Sequence, residues 1–172
     1  WFGVPLLLAS VALYIGTPRP VAAFDADLRA IFVREADRWT LLAGGGRSPY
    51  ARERLGATLG LTPAETERLA PPEACGEAFC RWQTQTRAIV LIRDPSALDQ
   101  ACAPRAIVIA ETATPADYAT RCGLAALITR ESIALLGGAT ITETPLGPRI
   151  ARAWPAEINR PWTPRTRTGE GE

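Results

Sequence analysis

The sequence predicts an α/β sandwich preceded by the end of a membrane helix. Two runs, residues 87–93 (RAIVLIR) and 105–110 (RAIVIA), are apolar without alternation. Strands covered on both faces read this way. Asp94-Pro95 starts a short helix between them, so the chain contains a strand–helix–strand unit. Upstream, residues 25–46 (DADLRAIFVREADRWTLLAGGG) hold two short apolar stretches around a polar turn and end in three glycines. That pattern predicts a β-hairpin followed by a turn in which the backbone takes positive φ or approaches another group closely.

In chain order, residues 1–16 (WFGVPLLLASVALYIG) carry no charge. They are slightly short of the roughly 20 residues of a full span. Trp1 and Tyr14 suit the two interfaces, and Pro5 is tolerated inside a membrane helix. A cleaved signal peptide, cut after residues 21–23 (VAA), is the competing reading, but the basic n-region it needs is absent. Residues 17–23 read as a linker and residues 24–160 as one folded domain. The hairpin strands are expected at 30–33 and 39–42. Ser48 caps, and Pro49 opens, a helix running to about Leu59. Thr62 and Glu65 form a capping box for the next helix, which Pro71-Pro72 stops. Residues 75–80 are expected to be a loop. The helix from Pro95 ends near Cys102, and a third strand is expected at 123–129. A helix at 131–136 is closed by Gly137-Gly138. Residues 139–144 and 149–154 form a last hairpin. The tail 161–172, rich in Pro, Thr and Arg, is expected to be disordered.

Composition narrows the chemistry. The chain has 172 residues, no Met and no His. The missing Met predicts a C-terminal piece of a longer protein. All 19 basic residues are Arg, against 18 acids, for a net charge of +1. This Arg bias reads as a GC-rich genome or as a choice of phosphate forks. The near-neutral total gives no large basic field for non-specific DNA binding. Without His there is no Ser-His-Asp triad or Cys-His pair, and without Lys there is no P-loop. No catalytic residue, metal site or cofactor is expected. Gly44, Gly45, Gly46 and Arg47 form a tight turn or a backbone cradle for phosphate. Asp25 and Asp27, at i and i+2 of a strand, would share a face, but two carboxylates are too few for a cation cage. The tryptophans are scattered, as packing residues are, although exposed ones would stack on bases.

Four cysteines, Cys75, Cys80, Cys102 and Cys122, permit two disulfides of open connectivity. Disulfides would place the domain in an oxidising compartment, here the periplasm. Four buried thiols are the alternative.

Taken together, these features resemble the C-terminal region of ComEC-type competence proteins of alphaproteobacteria, the inner-membrane channels of DNA uptake. The resemblance rests on the apolar helix end and Pro-rich stop before FDAD, the hairpin, CGEAFC, the run AIVLIRDPSALDQACAPRAIVIA, ATRCG and NRPWTP. It covers nearly everything from about Val21. In that family this domain is similar to metallo-β-lactamases. Asp25 and Asp27 stand where the family's first motif, DVGQGDA, would be. Gly44 and Gly45 stand in its second motif, with Ala43 in place of the acid. Residues 105–110 look like a late strand of the family, and Gly138 with Gly147 looks like its closing hairpin. The H-x-H-x-D-H motif is missing, which implies a degenerate metallo-β-lactamase-like sandwich with its nuclease apparatus lost. The disulfides would then replace the metal as a staple at the sheet edge. The implied partners are the rest of the channel, the inner membrane, and single- or double-stranded DNA, with Arg47, Arg52 and Arg54 as a local contact patch. Two other functions stay open: a phosphodiesterase built without histidine, and a structural periplasmic module unrelated to DNA.

Overall fold

The computed structural model describes residues 19–43, 49–72 and 75–152, without the side chains of 134–136. The predicted membrane helix end (1–16), Gly44, Gly45, Arg47 and the tail (161–172) lie outside the described residues. Among those described, no helix is long and apolar enough to cross a membrane.

The chain forms two sheets. The first is antiparallel throughout, with β1 (Pro20–Asp25) at its centre. On one side of β1 lie β2 (Ile31–Glu35) and β3 (Arg38–Ala43), and on the other β8 (Gly138–Thr144) and β9 (Gly147–Arg152). The second sheet runs β4 (Phe79–Gln83), β5 (Ala88–Ile92), β6 (Ile107–Ala110), β7 (Ala126–Thr129). The pairs β5–β6 and β6–β7 are parallel, and β4 is antiparallel to β5.

Alternation along each strand decides what it packs against. In β5, Ile89 and Leu91 face a core shared with Phe24, Ile31 and Val33 of the other sheet. Val90 and Ile92, one residue out of phase, pack with Tyr118, Ala97 and Ala101 of the outer helices. Ile107 and Ile109 face the inter-sheet core, and Val108 faces the helices. This is why residues 87–93 and 105–110 look uniformly apolar: both faces are buried. On the first sheet, Ala30, Phe32 and Leu41 point the other way, toward Leu55, Leu59, Leu61 and Leu69. These leucines come from α1 (Pro49–Thr58), α2 (Pro63–Arg68) and their connections. The layers are therefore helix, sheet, sheet, helix, and the expectation of an α/β sandwich is met.

Several elements differ from the sequence reading. β1 begins at Pro20, inside the stretch read as a linker. β4 occupies the end of the expected Cys75–Cys80 loop. A helix α4 (Tyr118–Arg121) forms where none is expected. Asp25 and Asp27 do not share a strand face: β1 ends at Asp25, and Asp27 stands in the turn to β2.

The helix starts follow local chemistry. The Glu65 carboxylate accepts the Thr62 N–H at 2.8 Å and the Thr62 hydroxyl at 2.7 Å, while Thr62 Oγ1 accepts the Glu65 N–H at 3.2 Å. These bonds hold the Glu65 carboxyl below its ordinary value. After Pro95–Ala97, a single 3₁₀ turn capped by Asp94, comes α3 (Leu98–Ala101). Thr129 and Ser132 cap α5 (Arg130–Leu136) in the same reciprocal way, and Gly137 ends it at φ 67°.

Both disulfides form: Cys75–Cys80 and Cys102–Cys122. Only the first meets the expectation of a sheet-edge staple, because Cys80 lies on the edge strand β4. The second joins the C-terminal caps of α3 and α4, in the outer helical layer.

One ion pair bridges the two sheets. Arg87, just before β5, lies with its Nε 3.6 Å from Oε1 of Glu143 on β8, both side chains largely covered. Burial pushes the Glu143 carboxyl above its ordinary 4.5, and Arg87 only partly opposes this. The folded state therefore holds this proton more tightly than the unfolded chain. Glu143's contribution to stability is fully present below about pH 4.5 and declines as pH rises through the folded-state value. Denaturant unfolding of wild type and Glu143→Gln across this range should show the variant gaining on wild type as pH rises. A constant gap would show that Glu143 does not titrate differently on folding.

Candidate functional site

A cleft of about 480 Å³ opens at the end of the sandwich where β1 stops. Three pieces of backbone build it. The first is the β1–β2 turn. Asp25 Oδ1 accepts the Ala30 N–H at 2.8 Å, and the Leu28 N–H is donated to the Asp25 carbonyl at 3.2 Å. Leu28 sits at φ 55° with its side chain 6% exposed. Burial of that side chain compensates for a backbone conformation that Leu rarely adopts. The turn leaves Asp27 and Arg29 on the surface as an exposed pair, 3.4 Å apart.

The second piece is α1. It presents Tyr50, 68% exposed, and Arg54 one turn later. Arg54 Nη1 donates to the Tyr50 hydroxyl at 3.3 Å, which sets the guanidinium beside the ring. The spacing is the i, i+4 spacing of a helix face.

The third piece is Gly137-Gly138, between α5 and β8. Gly138 pairs with Asp25 at φ 97°. A Cβ there would stand 3.2 Å from the Phe24 carbonyl and 3.4 Å from the Ala26 N–H. Only glycine lets the backbone come this close to the end of β1.

The structure thus gathers Asp25, Asp27 and Arg54 of the sequence-predicted residues into one cleft. Arg52, on the same helix, is not part of its lining. Two lining residues, Tyr50 and Arg29, were not singled out by sequence. Their signal was weak: an arginine two residues after an aspartate and a tyrosine four residues before an arginine are common surface patterns.

The chemistry on offer is recognition. Asp25 is committed to closing the turn, so its carboxylate is a structural acceptor. Among the described residues no three His, Cys, Asp or Glu side chains come together closely enough to hold a metal ion. What remains is two guanidiniums, an exposed phenol ring and the Asp27 carboxylate around the open cleft.

A second, smaller cleft of about 150 Å³ lies at the opposite end, between the β2–β3 turn, the β4–β5 turn and Glu143. Arg34 and Asp37 pair there at 2.9 Å, and the Arg34 guanidinium stands 5.9 Å from the Trp39 ring centre. No family model, no curated protein and no solved structure matches this chain.

Proposed function

We propose that this chain is the C-terminal, non-catalytic periplasmic domain of an inner-membrane DNA-uptake protein of the ComEC type. On this reading it is a degenerate metallo-β-lactamase-like domain that contacts DNA without cutting it. The observation that carries the reading is the cleft at the end of β1. Asp25 and Asp27 stand there where the family has its first motif, and the nearby groups are Tyr50, Arg54 and Arg29. Guanidiniums suit phosphate oxygens, and an exposed aromatic ring suits a base. The helix–sheet–sheet–helix layering is in keeping with that fold, and two disulfides are in keeping with the periplasm.

The test uses the full chain in detergent with a fluorescent single-stranded oligonucleotide and its duplex at low salt. Tyr50→Ala with Arg54→Ala is expected to weaken binding by roughly 10-fold to 100-fold, from one lost stacking contact and one lost phosphate contact. Arg52→Ala is expected to change it little. Equal affinity for wild type and the double variant would remove the cleft as a DNA site. Incubation with manganese, zinc or magnesium against a chelator control checks the other half of the reading. Metal-dependent cleavage that disappears in Asp27→Ala would show a catalytic site rebuilt without histidine. Asp27 is the side chain to change, because Asp25→Ala also opens the turn.

A further inference from the structure

The two ends of the sandwich are chemically different, and the order of the strands fixes which end lies next to residues 1–16. β1 starts at Pro20 and runs away from the chain entry for six residues, about 20 Å, to the cleft. Its neighbours are antiparallel, with Pro20 opposite Thr142 and Ala22 opposite Val33. The β2–β3 turn and the β8–β9 turn therefore both lie at the entry end, and the smaller cleft adds the β4–β5 turn to that end.

The tip of the β8–β9 turn is Leu146, which is fully exposed at 101%. It follows Pro145 and precedes Gly147 at φ 126°, so the turn holds the side chain out from the fold. The same end of the sheet also carries Arg149 on β9 and, across the sheet on the β2–β3 hairpin, Arg38 with the acids Glu35 and Asp37, all four exposed. Only Thr17 and Pro18 separate the uncharged run ending at Gly16 from Arg19. An extended chain covers that gap in at most about 10 Å.

We propose that the entry end of the domain is a membrane-facing surface, with Leu146 inserted among the lipid headgroups and Arg38 and Arg149 against anionic lipid. This rests on the reading that residues 1–16 enter the bilayer. A short tether holds the entry end at the surface whatever the tether's own conformation. A leucine there removes apolar area from water, and each arginine near an anionic leaflet adds attraction. The cleft with Tyr50 and Arg54 then faces away from the lipid, open to a long polymer.

The test is site-specific photocrosslinking in the full chain, reconstituted in vesicles of three parts phosphatidylcholine to one part phosphatidylglycerol. One protein carries p-benzoylphenylalanine in place of Leu146, the other in place of Tyr50. Both sites are exposed, so neither label disturbs the core. Mass spectrometry is expected to find lipid adducts at position 146 and at least tenfold fewer at position 50. Adducts at both positions in equal yield, or at position 50 alone, would overturn the orientation. Absence of adducts at 146 while the chain resists carbonate extraction would overturn the lipid contact but keep the membrane attachment. Release of the chain by carbonate would overturn both.

Discussion

Leu91→Ala is expected to cost about 3 kcal/mol of folding stability, near the middle of the range for burying a hole in a core. Leu91 is wholly buried and pairs with Cys80 on β4 and Ile109 on β6. Its side chain lies in the layer between the sheets, where Phe24, Val33 and Ile141 come from the opposite side. Neither sheet can close the gap alone, because each is held by its own ladder and by helices on its far face. The lost methyl groups therefore leave a cavity instead of a local collapse. Val90→Ala, one residue earlier, faces the small outer layer of Ala97, Ala101 and Ala103. It removes less volume and should cost roughly half as much. Urea unfolding of both variants measures the difference from the shift in midpoint at constant slope. If the two were equal, or Leu91→Ala cost less than about 1 kcal/mol, the sheets would not be packed face to face as described. The same variants separate folding from recognition. Leu91 is not part of the cleft's lining, so on the proposed reading folded Leu91→Ala protein should bind the oligonucleotide as wild type does.

That core was legible because burial on two faces leaves a mark in composition. Residues 88–92 and 107–110 contain no polar residue at all, and no other arrangement of a short strand needs this. Thr62 and Glu65 were legible for a local reason: a capping box is written within four positions. The box at Thr129 was harder to see, because Ser132 stands in place of the usual Glu or Gln. β1 was hidden by its own residues. PVAAFD opens with proline and holds two alanines, which have little strand preference. It is a strand because β2 and β8, distant in sequence from each other, both pair with it. β4 was hidden by Arg81 and Gln83, which break its apolar run, and by Cys80 within it. The cleft was half legible. Asp25, Asp27 and Arg54 drew attention through motif position and charge, but their shared location depends on α1 meeting the β1–β2 turn and on Gly138. No local pattern encodes that meeting. Asp27 misses the strand face because β1 ends at Asp25 and the chain turns through Ala26 and Asp27.

Cys102→Ser with Cys122→Ser is the other change expected to be large, at about 3 kcal/mol from loop closure over a sequence separation of 20. For a domain of this size that lowers the melting temperature by roughly 10 °C. The outer layer needs this cross-link more than most helical layers do. α3 and α4 have four residues each, too few to be stable alone. Besides their packing on β5 and β6, they are tied by the buried Tyr118, whose hydroxyl donates to the Leu98 carbonyl at 2.8 Å, and by a 3.8 Å contact between Arg121 and Asp99. The second is exposed and adds little. Cys122 is buried against this layer while Cys102 is exposed, so a reductant has direct access to the bond. Wild-type protein made in an oxidising compartment should therefore melt well above the same protein made in a reducing one. Reductant should lower the first below the double variant, by a further loss of about 2 kcal/mol from the short Cys75–Cys80 loop. Alkylation with and without reductant counts the thiols in each sample. If the oxidised protein carried four free thiols, or the double variant melted with wild type, the outer layer would be held by packing alone. The inference from cysteine to periplasm would then lose its physical basis.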